Sequence, residues 1–236
     1  MNTNRNWILG ISFIIGMAVF ALLCGHTVRA VKRMDEFVTV KGLSEREVPA
    51  DLAIWPIAFT VAENDLTQLQ GQIQAARQTV YQFLSESGFE QSEISNAPPQ
   101  ITDAQVASGG LDASKRPIRY QANITVLLRS AKVPNIKIAM ETCDKLVLQG
   151  IALSGGDYTS KPQFLFTGLN RIKPDMIQEA NRNARKAAER FASDSNSPVG
   201  AVRHAIQGPF EINEVDSSSP DRKIVRVVTT VDFYLR

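Results

Sequence analysis

The pattern of apolar and polar positions divides the chain into an N-terminal apolar segment and a body of alternating strands and helices. From Asn6 to Val28 there are 23 residues without a formal charge, enough to span a bilayer as a helix. A buried amphipathic helix would show a polar face, and this segment has none. We therefore predict that residues 1–33 are a transmembrane signal-anchor. Its bulky membrane-facing side chains are Trp7, Ile8, Leu9, Phe13, Ile14, Ile15, Phe20, Leu22 and Leu23.

The flanks of this segment leave two questions open. Val28–Ala30 loosely matches the small-x-small pattern of a signal-peptidase site, so cleavage stays an alternative. Retention is favoured because the apolar run exceeds the roughly 7–15 residues of a signal-peptide core. Only Arg5 precedes the span, whereas Arg29, Lys32 and Arg33 follow it. By the positive-inside rule, that count alone places the body in the cytoplasm.

Strict alternation of apolar and polar residues predicts strands in the body. Trp55, Ile57, Phe59 and Val61 share one face of the first clear example. Pro56 lies inside this strand and has no N–H for a central ladder, which predicts an edge strand or a bulge near Trp55. Similar patterns predict further strands at about 120–128, 151–154, 163–167, 200–213 and 224–235.

Apolar residues recurring at intervals of three and four predict three helices, at about 65–88, 130–150 and 174–194. The predicted inward face of the third is Ile177, Ala180, Ala184, Ala187 and Phe191. Its small side chains would let this helix approach a sheet closely. Strand pairs separated by single helices indicate an α+β fold with antiparallel sheets and helices on one face.

We expect two lobes of βαββ type. The predicted boundaries are residues 34–131 for the first lobe and 132–236 for the second. The first strands of the body could instead pair with the last ones and make the two lobes inseparable.

Composition excludes several classes of function. Lys and Arg number 26 against 24 Asp and Glu, so the net charge of +2 creates no field that favours nucleic acid. The two cysteines, Cys24 and Cys143, provide no disulfide framework or metal-binding pair. The two histidines, His26 and His204, are far apart in sequence, so we expect no metal site and no cofactor.

The charged stretch VKGLSEREVPADLAIWPI, residues 40–57, is the best candidate for an active site. Glu45 and Glu47 could act as general acid and base, but residues two apart on a strand share a face. We favour charges that face solvent across an edge hairpin turning between Pro49 and Asp51. No catalytic residue is predicted; the candidate interface or edge residues are Glu45, Glu47, Trp55 and Pro56.

The charged stretch also resembles the N-terminal signature of SIMPL-domain proteins, the DUF541 family. The helix sequence EANRNARKAAE, residues 179–189, continues the resemblance, which covers Glu36 to Arg236. The departure is Ser195–Gly200, where a turn richer in lysine and leucine is expected. The resemblance implies a homo-oligomeric bacterial envelope protein without catalytic residues. It also implies that the body lies on the periplasmic side of the inner membrane, against the charge count.

Three functions follow as hypotheses. The leading one is a membrane-anchored homo-oligomeric scaffold or channel-like assembly, linked to stress protection. The alternative is a periplasmic binding module for a small ligand or an envelope partner, using the strand around Trp55 or a cleft between lobes, with the ligand undefined. The third is a hydrolase that uses Glu45, Glu47 or Asp51.

Overall fold

The computed structural model describes residues 16–23, 36–107, 118–154 and 161–235. Residues 16–23, inside the predicted anchor, are helical (α1). The anchor side chains from Trp7 to Ile15 lie outside the described residues. Within the described ranges, no helix is both long and apolar enough to cross a membrane.

The body is an α+β structure with antiparallel sheets, as the sequence predicted. A short 3-10 turn, Gln91–Glu93, precedes β3. The elements are β1 Phe37–Pro49, β2 Leu52–Glu63, α2 Leu66–Glu86, β3 Ile94–Asn96, β4 Gln100–Asp103, α3 Ala104–Ala107, β5 Tyr120–Ser130, α4 Val133–Glu141, α5 Asp144–Leu148, β6 Ala152–Leu153, β7 Gln163–Leu165, α6 Leu169–Ser195, β8 Val199–Glu214 and β9 Arg222–Leu235.

The chain forms two compact units, and each is built from separate stretches of sequence. Of the described residues, unit 1 contains 16–23, 36–46, 172–211 and 226–235. Unit 2 contains the described residues within 47–171 and 212–225. The predicted lobes, in contrast, are consecutive along the chain.

Unit 2 is organised around the β2–β5 pair, whose antiparallel register runs from Ala53 opposite Ser130 to Glu63 opposite Tyr120. β3 and β4 pair with the other side of β5, and β6 and β7 with the other side of β2. Helix α2 begins at Asp65, whose carboxylate accepts two first-turn N–H groups, and Gly88 follows its end with a φ of 87°. The buried face of α2 is Leu69, Ile73, Ala76, Val80, Phe83 and Leu84.

The prediction that β2 is an edge or bulged strand was wrong. β2 keeps an unbroken register with β5, and Pro56 lies opposite Leu127. On its other side, β2 pairs with β7 at residues 52–54 and with β6 at residues 59–60. Pro56 falls in the gap between these two short strands, where a residue without an N–H interrupts no ladder.

The predicted hairpin between β1 and β2 is also absent. β1 belongs to a three-stranded sheet of order β1-β9-β8, whereas β2 belongs to the other sheet. The turn between them is held by longer-range contacts: Ala50 donates its N–H to the carbonyl of Asp221, and the Asp51 carboxylate accepts the N–H of Thr167. These contacts direct the chain from one sheet to the other.

Two helices differ from their predicted extents. The helix predicted over 130–150 is divided into α4 and α5 at Thr142, whose hydroxyl donates to the Ile138 carbonyl. The third predicted helix, α6, begins five residues before Pro174. Phe191, predicted to face inward, is 48% exposed. The buried face of α6 follows a strict four-residue spacing: Met176, Ala180, Ala184, Ala188 and Ala192.

Candidate functional site

The charged stretch begins in a close contact between the parts of β1 and α6 that belong to unit 1. Gly42 of β1 is buried, and it faces the helix backbone. A Cβ added at Gly42 would lie 1.9 Å from the carbonyl oxygen of Ala180 and 2.5 Å from the nitrogen of Ala184. No side chain fits at those distances, so glycine is required for this approach.

Two polar contacts next to Gly42 reinforce the approach of β1 to α6. The Ser44 hydroxyl, 1% exposed as a residue, donates to Oε2 of Glu179 at 2.9 Å. Asn183 Nδ2 donates to the carbonyl of Leu43 at 2.8 Å. Because a buried polar group left unpaired costs about 1–3 kcal/mol, these partners are interdependent. We call Gly42, Ser44, Glu179 and Asn183 the β1–α6 clasp.

The two candidate acid–base residues lie on the opposite face of β1. Glu45 and Glu47 are exposed and alternate with the buried Ser44 and Val48. Glu47 Oε1 lies 2.5 Å from Nε of Arg222. This placement fits solvent-facing charges. A role of Glu45 and Glu47 in an interface stays a prediction.

The other residues predicted around the charged stretch have structural positions. Asp51 holds the turn after β1 and lies 3.9 Å from Arg171. Trp55 is 7% exposed and packs in the core of unit 2. Its ring therefore offers little surface to a ligand, which removes one basis of the binding hypothesis.

Chemistry-bearing groups are sparse in the described ranges. Among those residues, no cluster of three or more His, Cys, Asp or Glu side chains is arranged to hold a metal ion. His204 is exposed on β8. Cys143 is a free thiol, partly buried at the start of α5.

A serine–glutamate–lysine cluster in unit 2 was not foreseen from the sequence. Ser130 Oγ donates to Glu93 Oε1 at 2.5 Å, and Lys132 Nζ lies 3.3 Å from Glu93 Oε2. Desolvation raises the pKa of Glu93. The hydrogen bonds from Ser130 and from the backbone of Glu90, with the Lys132 charge, outweigh it and lower the pKa.

This cluster links residues of unit 2 that are far apart in sequence. The Ser130 hydroxyl is almost fully buried and directs its proton to a carboxylate that is held ionised. Lys132 also donates to the carbonyl of Gly88 at 3.0 Å, which joins the end of α2 to β5.

A cavity of about 370 Å³ lies between α4, β7 and the β8–β9 turn in unit 2. Lys137 and Asp221 are part of its wall and form an ion pair at 2.9 Å. The hydrogen bond from Lys137 lowers the pKa of Asp221 and outweighs the effect of desolvation. The lysine of this cavity is therefore already committed to a carboxylate.

Residues 199–211 of β8 form the most unusual surface of unit 1, because within the described residues β8 ends the sheet and is exposed along almost its whole length. Arg203 stacks on Phe37 at 4.1 Å and lies 5.9 Å from the Tyr234 ring. Phe37 and Tyr234 alternate with the buried Val38 and Phe233, so this is the face opposite α6.

The even-numbered residues of β8 therefore point to the α6 side of the sheet, where apolar side chains are expected to be covered. Two of them, Val202 and Ile206, are nevertheless 52% and 56% exposed. Helix α6 packs on β1 and β9 through its alanine face. We call residues 199–211 the β8 edge.

A single family match covers both the β1–α6 clasp and the β8 edge. The family model "SIMPL: Protein of unknown function (DUF541)" matches residues 38–229. The chain belongs to the SIMPL family. No individual curated protein matches it.

In this SIMPL protein, the two sequence segments that carried the resemblance are the two sides of one contact. The first supplies Gly42 and Ser44, and the second supplies Glu179, Ala180, Asn183 and Ala184. The charged stretch is thus explained by packing and hydrogen bonding. Gly42 and Ser44, more than the charged residues, indicate the structural role of this stretch.

Proposed function

We propose that this SIMPL protein is a membrane-anchored envelope protein whose body self-associates on the periplasmic side of the bacterial inner membrane. The assembly is a homo-oligomeric scaffold or channel-like particle that contributes to stress protection. The observation that supports it is the β8 edge. It is long, open within the described residues and bordered by exposed apolar side chains.

An open edge strand is a template for pairing with another chain, and monomeric proteins usually protect such edges. β1, at the other end of the same sheet, has part of its edge bound by a side chain. Glu36 accepts the N–H of Leu235 in β9, so by alternation Leu43 directs its carbonyl to the opposite edge, where Asn183 binds it. Proline is one of the residues that protect edge strands, but β8 contains a single proline, Pro209, among its 16 residues.

Membrane anchoring is supported by the uncharged 23-residue run Asn6–Val28. The family match begins at residue 38, so the anchor rests on the chain's own sequence.

Light scattering on the full-length protein in detergent tests the assembly. We expect a protein mass of at least two 26.0 kDa chains, since each copy brings an edge that requires cover. A single copy per micelle at micromolar concentration contradicts the proposal.

Orientation has its own test. Ser217 lies in the exposed β8–β9 turn, so Ser217→Cys in a Cys24→Ser, Cys143→Ser background places one accessible thiol on the body. A membrane-impermeant maleimide should label it in intact spheroplasts. Labelling only after permeabilisation would place the body in the cytoplasm, in agreement with the charge count.

The stress role is tested by complementation of a deletion strain under oxidative and envelope stress. Full-length protein should restore survival, and residues 34–236 expressed in the cytoplasm should not. Equal survival of the deletion strain and its parent under these stresses would remove this part of the proposal.

The binding-module alternative is favoured by one observation, the cavity of about 370 Å³ beside Lys137. Its size is at the lower end of small-ligand pockets, about 300–1,000 Å³. A thermal-shift screen of small envelope metabolites tests it, with Met140→Trp, which would fill the cavity, as the control that abolishes any shift.

A further inference from the structure

We infer that two copies of this chain pair antiparallel through the β8 edge, about a two-fold axis at Gln207, with Arg203 of each copy opposite Glu211 of the other. This inference rests on the proposed homo-oligomeric function and names the surface and the register of assembly. The charges along β8 itself select the second copy as the occupant of the edge.

Charge complementarity determines the register. Arg203 and Glu211 are both exposed and eight residues apart, so both point to the same face of β8. In an antiparallel pair centred on Gln207, each Arg203 lies opposite a Glu211 in register, twice per dimer, and its side chain turns from Phe37 to reach that glutamate. Centring the pair on Ile206 or Gly208 places Arg203 opposite Pro209 or Asn213, and neither carries a charge.

The same register brings apolar side chains together on the α6 side of the sheet. Ile206 of each copy lies opposite Gly208 of the other, directly beside the axis, so the two isoleucines meet across it. Ile206 is 56% exposed in the single chain, and pairing would remove this apolar surface from water. Glycine at 208 leaves space for the isoleucine of the other copy.

Pro209 does not obstruct this pairing. Val215 donates its N–H to the carbonyl of Arg222, so odd-numbered residues of β8 direct their N–H groups to β9. Pro209 therefore removes a bond from the β9 side. A Cβ at Gly208 would lie 2.8 Å from the Val228 carbonyl, which shows that this carbonyl lies against β8 at that point. Even-numbered residues present their N–H and C=O groups to the open edge.

Continuous pairing from Arg203 to Glu211 joins nine residues of each copy, about 30 Å of strand. Main-chain hydrogen bonds supply the attraction and the side-chain pairs supply the register, as in other strand-addition complexes. The result is a six-stranded sheet that runs through both copies.

Disulfide trapping tests the axis. In full-length protein carrying Cys24→Ser and Cys143→Ser, the Gln207→Cys thiol faces its counterpart in the other copy at a Cα separation of about 4.5–5.5 Å, which suits a disulfide. We expect covalent dimers under mild oxidation. The matched control, Ala201→Cys, is displaced from its counterpart by about 40 Å and should stay monomeric on the same gel.

Charge reversal tests the register independently. Arg203→Glu and Glu211→Arg should each weaken dimerisation at least about tenfold, because each variant places like charges opposite one another twice. Mixing the two variants restores both opposite-charge pairs. We therefore expect the mixture to regain the wild-type particle mass, which also shows that both variants are folded although Arg203→Glu loses its contact with Phe37.

The outcomes separate this inference from the proposed function. A multimeric wild type whose Gln207→Cys variant forms no covalent dimer, or whose charge variants fail to restore each other on mixing, overturns the β8 register and leaves the homo-oligomer standing. A monomeric wild type overturns both. Crosslinking at residue 201 in place of 207 also contradicts the two-fold axis at Gln207.

Discussion

Gly42 lies directly against the backbone of Ala180, so close that a Cβ on the glycine would stand 1.9 Å from the alanine's carbonyl oxygen. Neither side of this contact has space to spare. The helix presents alanine at 180 and 184, and the strand presents no side chain at all. The family signature and the alanine-rich helix are therefore parts of one packing solution.

Gly42→Ala should destabilise unit 1, because the added methyl group meets backbone and not a flexible side chain. Overpacking of this kind costs about 1–3 kcal/mol or more, measurable as a lower midpoint in urea. Gly71→Ala is the matched control. Gly71 lies on the exposed face of α2 with open space around it, so alanine there should raise stability by roughly 0.5–1 kcal/mol.

Within the clasp, the contribution of Ser44 to stability should depend on the presence of Glu179. Ser44→Ala removes the hydrogen bond from Ser44 Oγ to the Glu179 carboxylate and should lower the free energy of unfolding by about 1–3 kcal/mol. A double-mutant cycle with Glu179→Ala should give a coupling energy of about 0.5–3 kcal/mol. Coupling near zero would show that the hydrogen bond does not contribute. Glu45→Ala, one residue away on the exposed face, should change stability by less than about 0.5 kcal/mol.

Trp55 should behave as a core residue. In a Trp7→Phe background it is the one remaining tryptophan, and its burial predicts blue-shifted emission and slow quenching by iodide. Both properties should be lost together on unfolding. Emission typical of indole in water in the native state would contradict this placement and would revive a ligand site at the ring.

The Glu93 cluster should make stability depend on pH in the acid range. The folded pKa of Glu93 lies below its ordinary value of 4.5, so its stabilising effect is complete above that value. The effect is lost as the pH falls through the lower folded pKa. Urea midpoints measured from mildly acidic pH down to well below that ordinary value should therefore fall more steeply for the wild type than for Glu93→Gln.

Ser130→Ala removes a hydrogen bond that lowers the pKa of Glu93, so it should also flatten this pH dependence. An unchanged slope in both variants would show that the cluster does not couple folding to protonation.

Local periodicity predicted several elements well. The apolar stripe over about 65–88 predicted α2, and alternation over about 120–128 predicted β5. These elements are set by residues near one another in sequence. The exposed glutamates of β1 followed from the same alternation.

Local pattern failed where the outcome depends on a distant partner. Pro56 indicates only that one N–H is missing. The gap beside it lies between β7 and β6, which are formed by residues about a hundred positions later in the chain. Phe191 has the spacing of an inward residue, but α6 turns its alanine face to β1, and the ring stays outside. Ser130 lies where the second helix was predicted to begin, and its hydrogen-bond partner Glu93 lies 37 residues earlier.

By itself, the sequence determined the family, the α+β class with antiparallel sheets, the periodic elements and the uncharged N-terminal run, because each depends on local spacing or on a recognisable signature. Only the tertiary structure decided that β1 and β2 enter different sheets, that the signature forms a clasp on α6 and that β8 is left open within the described residues. Strand partners and helix faces are selected by contacts between residues far apart in the chain, which compete for the same buried surface, and no local pattern records which contact wins.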